Sequence, residues 1–405
     1  MAVRVVIAGG SFGGLTTAYE LRRHLGPDQA TITVISKERR FTFVPSLPGV
    51  AMGTRRLEQI SFDLAEPLAA KHVGFVHDTV TGVDTGRRLV VTEAGEHPYD
   101  FLVVATGHRS ANEAVEGLGP FDGPGHSPMS APEATELRSA VRALLGEPGP
   151  VVVGAAPGAS CIGPAYELAF ELDHLLRRRK LRHQVPITFL TPEPFLGHMG
   201  MGGAGKIRQL LEGELEERDI SFATSAAVRK ITAEAVEVEG APPVPSVLSI
   251  VIPPLAGVDA VANSVGLANP KGFVPIDAHY RHQSVDGVYA VGVAVAMAPV
   301  GETPVPVNLP KTGHMTEQMA QIAARDITSR IGGRGGGLAA ELSARCVLDM
   351  GDRGAYLAVD PVRPPRNAIP TVSEGRRWLL AKRAFERTYL WHAKRGRRMP
   401  ATLGW

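Results

Sequence analysis

The chain has 405 residues, roughly two to three ordinary domains' worth, of which 44% are hydrophobic and 21% charged. With 45 glycines and 32 prolines the composition is globular and excludes collagen, coiled coil and a disordered chain; a formal net charge of +2 is too small overall to point to a polyanionic partner. The charge is uneven, however. Residues 376 to 405 carry nine Lys and Arg against one acid, Glu386, together with all three tryptophans, Trp378, Trp391 and Trp405.

The N-terminus, MAVRVVIAGG, runs directly into a strand and a glycine loop, with no secretory pattern in it. Val3–Ala8 is a short continuous apolar run, as expected of a strand covered on both faces. Gly9–Gly14 (GGSFGG) follows, then a helix over about Leu15–Leu25 that Gly26 and Pro27 stop, then a strand over Thr31–Ile35. This βαβ outline is that of a dinucleotide-binding half. Gly9 and Gly14 hold the outer positions of the G-x-G-x-x-G fingerprint, with Ser11 at the middle one; Ser36 stands where a ribose-binding acid is expected. Asp100–Gly107 (DFLVVATG) reads as a strand ending in Ala105, Thr106 and Gly107, small residues that let a flat, extended cofactor approach the backbone.

Gly117–Pro132, with four prolines and four glycines, reads as a crossing segment. Val151–Val153, the loop Gly154–Ala159 (GAAPGA) and a helix from about Cys161 to Arg178 then repeat the first unit. Here Ala156 replaces the second fingerprint glycine and Pro157 stiffens the next position, which disfavours NADH. Gly240–Pro254 is a second proline-rich stretch, and Gly287–Ala294 (GVYAVGVA) is an apolar strand whose terminal turn holds Gly292 and Val293. The longest apolar run, Val288–Val300, falls well short of the roughly 20 residues that span a bilayer. Gly332–Gly337 (GGRGGG) reads as a flexible linker. The boundaries that follow are 1–115 and 271–331 for the two halves of one dinucleotide-binding domain, 116–270 for a second, and 332–405 for a C-terminal region.

There are two cysteines, Cys161 and Cys346. That is no disulfide framework and fits a cytoplasmic chain. They are either inert buried thiols or a redox pair that the fold brings together. Cys161 is expected in the first turn of its helix, where unpaired N–H groups favour the thiolate and lower its pKa. No metal site is expected. In the tail, a helix over Gly375–Lys394 at about 100° per residue gathers Arg376, Arg383, Arg387 and Lys394 on one face and Trp378, Phe385 and Tyr389 opposite. This is either an element for an anionic lipid surface or a helix whose aromatic face packs on the protein. No nucleic-acid-reading module accompanies the cations, so no nucleic acid partner is expected.

The three small-residue strand ends, in this order, resemble the two-dinucleotide-binding-domain flavoproteins, which include disulfide reductases and type II NADH dehydrogenases. The resemblance implies FAD, with Gly9, Ser11, Gly14, Ser36, Ala105, Thr106, Gly107, Gly292 and Val293 around it. Five further segments are similar to the sulfide:quinone oxidoreductase family: Phe43–Pro48 (FVPSLP), Gly158–Glu167 (GASCIGPAYE), Pro194–Gly203 (PFLGHMGMGG), Val300–Gly313 (VGETPVPVNLPKTG) and Cys346–Gly354 (CVLDMGDRG). They are collinear with that family from the first strand to about Gly396. The resemblance implies that Cys161 and Cys346 are the redox pair, the second beside the reactive carbon of the flavin, and that His198 is an acid/base near the sulfide path. It also implies Lys311 as a cation at the flavin pyrimidine end, Phe385 as the quinone-stacking ring and Lys382 beside the quinone pocket.

Two departures accompany it. Met129 stands where the family usually has a third cysteine, with Glu133 where some members have histidine, so FAD is expected to be non-covalent. Relatives also continue past Lys394–Gly396 with amphipathic helices, whereas this sequence stops at Trp405. The expectation is thus an α/β fold of two Rossmann-like domains with a C-terminal helical region facing membrane and quinone. Its partners are sulfide, a membrane quinone and an anionic membrane surface; its place is the cytoplasmic face of the membrane, peripherally attached, and a homo-oligomer is compatible with it. The rivals are the flavoprotein subunit of a flavocytochrome c sulfide dehydrogenase, a type II NADH dehydrogenase-like enzyme, and a sulfur sensor without turnover.

Overall fold

In the computed structural model, which describes residues 2–332, 339 and 341–399, the first apolar run becomes β1 (Val3–Ala8). It is followed by α1 (Phe12–His24), β2 (Ala30–Ser36), β3 (Val73–His77) and β4 (Phe101–Val104). The second unit comprises β5 (Gly125–His126), α2 (Ala131–Gly146), β6 (Val151–Ala155), α3 (Gly163–Arg179), β7 (Ile187–Leu190), β8 (Ile220–Ala223) and β9 (Leu248–Ile252). The chain then returns through β10 (Val288–Ala290) and α4 (Gly313–Ile331). It ends in β11 (Ala344–Asp349), β12 (Gly354–Val359), β13 (Thr371–Gly375) and α5 (Arg376–Ala393).

Two parallel five-stranded sheets organise these elements, in the orders β10-β4-β1-β2-β3 and β5-β9-β6-β7-β8. Parallel strands buried on both faces are uninterrupted apolar runs, and β6 and β9 are buried at every residue. The first sheet is completed at its edge by β10, from late in the chain, which pairs with β4. That pairing sets the turn containing Gly292 beside Ala105, Thr106 and Gly107 and close to the glycine turn after β1.

α1 begins at Phe12, three residues before the predicted Leu15, because Gly13 and Gly14 are themselves helical. A Cβ on Gly14 would lie 1.8 Å from the Gly9 carbonyl oxygen, so the missing side chain lets the helix start hard against the turn. The predicted C-terminal helical region needs correcting more deeply. Its first part is a three-stranded antiparallel sheet, β11-β12-β13, with Cys346 opposite Leu357, and only then does the helix α5 follow. From Gly333 onward the predicted glycine linker lies outside the described residues, as does Trp405.

α5 docks through Leu379, Tyr389, Leu390 and Ala393, all buried. Phe385 is half-buried, and Trp378 stacks on Tyr356 at 4.3 Å. The predicted cationic face points outward: Arg376, Arg383, Arg387 and Lys394 are exposed, interleaved at helical spacing with Leu380 and Trp391, 64% and 46% exposed. Glu386, the only acid of this segment, is turned inward, accepting from Ser46 Oγ at 2.5 Å and pairing with Arg55 at 3.0 Å. These contacts clamp α5 onto the 43–56 segment and leave the outer face almost purely basic.

Candidate active site

The ends of β1, β4 and β10 make a cradle with little side chain in it. Gly9 has φ +117°, and a Cβ there would meet the Ala105 carbonyl oxygen at 2.1 Å; Gly292, at φ +70°, would meet Thr316 at 2.9 Å. α1 opens with Ser11 at its N-cap, no capping side-chain bond and no acid in its first turn, so its N–H groups are left for an anion. Thr106 Oγ1 and His108 Nδ1 are buried without a protein partner, and such atoms need a ligand or solvent to complete them. The residues present therefore fit the pyrophosphate and ring system of FAD.

Two predicted members of this cradle are engaged locally. Ser36 Oγ donates to the Glu38 carbonyl at 3.0 Å and accepts from the Glu38 N–H at 3.3 Å. Lys311 Nζ donates to the carbonyls of Val293 at 3.0 Å and Val295 at 2.5 Å, above the Phe273 ring at 4.0 Å. Burial pushes the Lys311 ammonium down to about 7, so the cation expected at the flavin is only about half charged at neutral pH unless an anion joins it. Burial likewise takes His108 down to about 4, which keeps its ring neutral. His108 was missed in the sequence, where it is simply the residue after a conformational glycine.

The two cysteines reach one place from different layers. Cys161 lies in the turn between β6 and α3, and Cys346 lies on β11, which runs beside the start of α3: a Cβ on Gly163 would sit 3.5 Å from Leu348. Glu167, one turn into α3, ties the layers by accepting from the Asp349 N–H at 2.7 Å and from Lys382 Nζ of α5. Burial first, and then the Glu167 carboxylate, push the Cys161 thiol up to about 11. Burial, Glu167 and Cys161 itself push Cys346 up to about 12, with Lys382 opposing. The expected lowering at Cys161 is therefore corrected: α3 starts at Gly163 behind an Ile162 cap, so the sulfur is outside its first turn, and a carboxylate faces it.

Lys382 is drawn into the same cluster by its ion pair with Glu167. Its pKa is raised: burial works against the charge, and Glu167 and Asp349 outweigh it. Glu171, one turn beyond Glu167, has a buried Oε2 without a partner; burial and the neighbouring Asp349 and Glu167 hold its carboxyl well above the usual range. The sequence signal for both acids was their i, i+4 spacing in an otherwise apolar helix face.

The sequence profile of the pyridine nucleotide-disulphide oxidoreductase family matches residues 3–321. The sulfide-quinone reductase of Aquifex aeolicus is 37% identical over 409 residues, 99% of this chain and 93% of that protein. The X-ray structure of the sulfide:quinone oxidoreductase from that hyperthermophilic bacterium covers 99% of this chain and 94% of its own, with a TM-score of 0.95 at 37% identity. The chain belongs to the sulfide:quinone oxidoreductase family. As a member of this flavoprotein family it implies FAD, in keeping with the cradle. Two other likenesses are narrower. A type II NADH:quinone oxidoreductase of Staphylococcus haemolyticus is 30% identical over 115 residues, 28% of this chain. The structure of NDH2 from Plasmodium falciparum in complex with NADH, at 12% identity and a TM-score of 0.74, shares the fold alone.

In this family member the second glycine turn is already filled from within. The Gly158 N–H donates to the Pro306 carbonyl at 2.6 Å, Asn308 N–H donates to the Ala159 carbonyl at 3.0 Å, and Asn308 Nδ2 donates to the Gly158 carbonyl at 2.7 Å. The irregular segment 306–308 thus holds the turn where a second pyrophosphate would lie, adding to the obstruction by Ala156. The same segment meets the His198 loop, since a Cβ on Gly200 would be 2.0 Å from the Asn308 carbonyl oxygen.

His198 is buried, accepts from the Gly200 N–H at Nδ1 (3.3 Å) and packs edge-on to Phe195. Burial lowers its pKa. Its loop is pinned by buried Glu193, which accepts from Tyr166 Oη of α3 at 2.7 Å and from the Met199 N–H at 2.6 Å. Phe385 lies one turn beyond Lys382 on α5, 6.0 Å from the rings of both Phe43 and Tyr389. It thus joins an aromatic group, Phe12, Phe41, Phe43 and Tyr389, beside the cradle.

Proposed function

We propose that this chain oxidises sulfide to sulfane sulfur and delivers the electrons to a membrane quinone, using non-covalently held FAD and a Cys161–Cys346 redox pair. The observation that carries the reading is the shared environment of two sulfurs remote in sequence, both buried beside Glu167, which ties α3 to β11 through Asp349 and to α5 through Lys382. In the oxidised pair, HS⁻ attacks the Cys161 sulfur. One S–S bond forms and the bridge breaks, leaving a persulfide on Cys161 and a thiolate on Cys346; sulfide sulfur is oxidised by the two electrons that reduce the disulfide. The Lys382 ammonium favours that thiolate, and His198 serves as the proton-handling group of the sulfide path. A second HS⁻ takes the sulfane sulfur from Cys161 as HSS⁻ and leaves the dithiol, and FAD, when bound, would supply the two-electron acceptor that returns the pair to its oxidised state.

Phe385 stacks the quinone, with Lys382 one turn away on the same helix. No helix among the described residues is long and apolar enough to cross a membrane. The outer face of α5, with its cations, Leu380 and Trp391, lays the enzyme against an anionic bilayer surface. In this reading residues 1–115 and 271–331 form the FAD domain, 116–270 carry Cys161, and 332–405 carry Cys346 and the membrane face.

An anaerobic spectrum tests the proposal. Sulfide bleaches the bound flavin within the turnover time and a soluble quinone analogue restores its colour, whereas NADH leaves the spectrum unchanged. Bleaching by NADH and not by sulfide overturns the reading; bleaching by sulfide without quinone-driven recovery points to a sensor instead.

A further inference from the structure

The C-terminal half of α1, the turn at Lys71 and the chain just after α5 enclose a cavity of about 260 Å³, lined by Tyr19, Arg22, Arg23, Lys71, Gly396, Arg397 and Arg398. Five of its seven lining residues are cations and none is an acid. The cavity lies at the far end of α1 from the flavin cradle, and nothing in the proposed mechanism uses it.

Its cations are not all accounted for by the fold. Arg23 and Arg398 pair with the buried carboxylate of Glu20, at 2.5 and 3.5 Å, which also faces Arg325 at 3.6 Å and His24 at 3.4 Å. Arg22 spends its terminal nitrogens on the carbonyls of Leu25, Ala30 and His72, at 3.2, 3.1 and 2.9 Å. Its Nε, however, is buried and without a partner. Lys71 lays its stem over Gly396, where even a Cβ would come within 2.5 Å of it. Among the described residues neither the Lys71 nor the Arg397 side chain has a hydrogen bond or ion pair. Two cations without a protein partner, Lys71 and Arg397, therefore share one concave site with Arg22, Arg23 and Arg398, an arrangement able to hold an anion with several acceptor oxygens.

We propose that this cavity binds a phosphate group. A phosphate offers acceptor oxygens to Lys71 and Arg397 together, and its charge balances those two cations. The site stands directly after α5, where the outward stripe ends at Lys394, so the phosphate belongs either to a lipid headgroup or to a free phosphate in solution.

Two measurements on the flavin-loaded protein separate the sources, and neither needs turnover. The first is the unfolding temperature in inorganic phosphate against chloride at equal ionic strength. The second is co-sedimentation with vesicles of equimolar phosphatidylglycerol and phosphatidylcholine. Each is run on the parent, on Lys71→Gln/Arg397→Gln, on the charge-keeping Lys71→Arg/Arg397→Lys and on Arg383→Gln from the outward stripe. A headgroup site loses vesicle affinity by more than the roughly fivefold per charge that any cation near the surface gives, keeps it in the charge-keeping variant, and loses more per charge than Arg383→Gln does. A free-phosphate site shows a saturable rise in unfolding temperature that disappears only in Lys71→Gln/Arg397→Gln. If phosphate stabilises no more than chloride, and the pocket charges matter no more per charge than Arg383, the cavity is no phosphate site.

Discussion

Cys161→Ser and Cys346→Ser are each expected to slow sulfide-dependent bleaching of the flavin by about a thousandfold or more, with the double variant no slower than the worse single one. In the proposed mechanism the two sulfurs act as one unit. Without either, no bridge exists for HS⁻ to open, so removing the second costs nothing further. Both variants should retain flavin, because the cradle at Gly9, Thr106 and Gly292 is built from other elements. Stopped-flow absorbance under anaerobic conditions reads the rate, and the visible spectrum of the purified protein reads the retained cofactor. Additive losses, or undiminished bleaching in either single variant, would mean that sulfide reduces the flavin by another route.

Lys382→Met is expected to destabilise the protein by about 3 kcal/mol, because it leaves the Glu167 carboxylate buried beside Asp349 and two thiols with no counter-charge. The second change, Glu167→Gln, removes that stranded charge. The pair Glu167→Gln/Lys382→Met should therefore recover most of the loss, even though it lacks the ion pair altogether. Thermal unfolding of the four proteins reads this cycle. A Lys382→Met protein as stable as the parent would show that the ammonium is solvated and the pairing dispensable. The single Glu167→Gln should also ease both thiols downward, since its carboxylate is a cause of their elevation.

The parts of the fold that were readable in the sequence are those decided within a few residues of each other. Val3–Ala8, the glycine turn, Phe101–Val104 and Val288–Ala290 are apolar runs ending in small residues, and the structure sets all of them in one sheet. Boundaries slipped where a helix starts on glycines, as at Phe12, or where a proline in the first turn delays it, as at Gly163 behind Cys161. That delay put Cys161 outside the first turn, and burial, then the Glu167 carboxylate, set its pKa in the direction opposite to the expected one. The antiparallel sheet over 344–375 was missed because its strands, ARCVLD and GAYLAV among them, show no strict apolar–polar alternation in sequence, although β12 is buried at every second residue from Ala355.

The candidate site divides the same way. Both cysteines stood out as the only two in the chain, whereas the Glu167–Lys382 pair joins residues more than two hundred positions apart and has no local signature. The charge of the tail was legible, and so was its division into a cationic and an aromatic face. That Glu386 would turn inward onto Arg55 and Ser46 was not, because its partners lie in the 43–56 segment.

The most direct test of the central claim is mass mapping of the two sulfurs with iodoacetamide, before and after anaerobic addition of sulfide. In the resting protein the Cys161 and Cys346 peptides should run as one linked species that refuses the label. After sulfide, Cys161 should carry one extra sulfur, and Cys346 should take the label at a rate still climbing with pH above 9, its thiol lying near 12. Two separate, equally labelled peptides in the resting protein, unchanged by sulfide, would contradict the account.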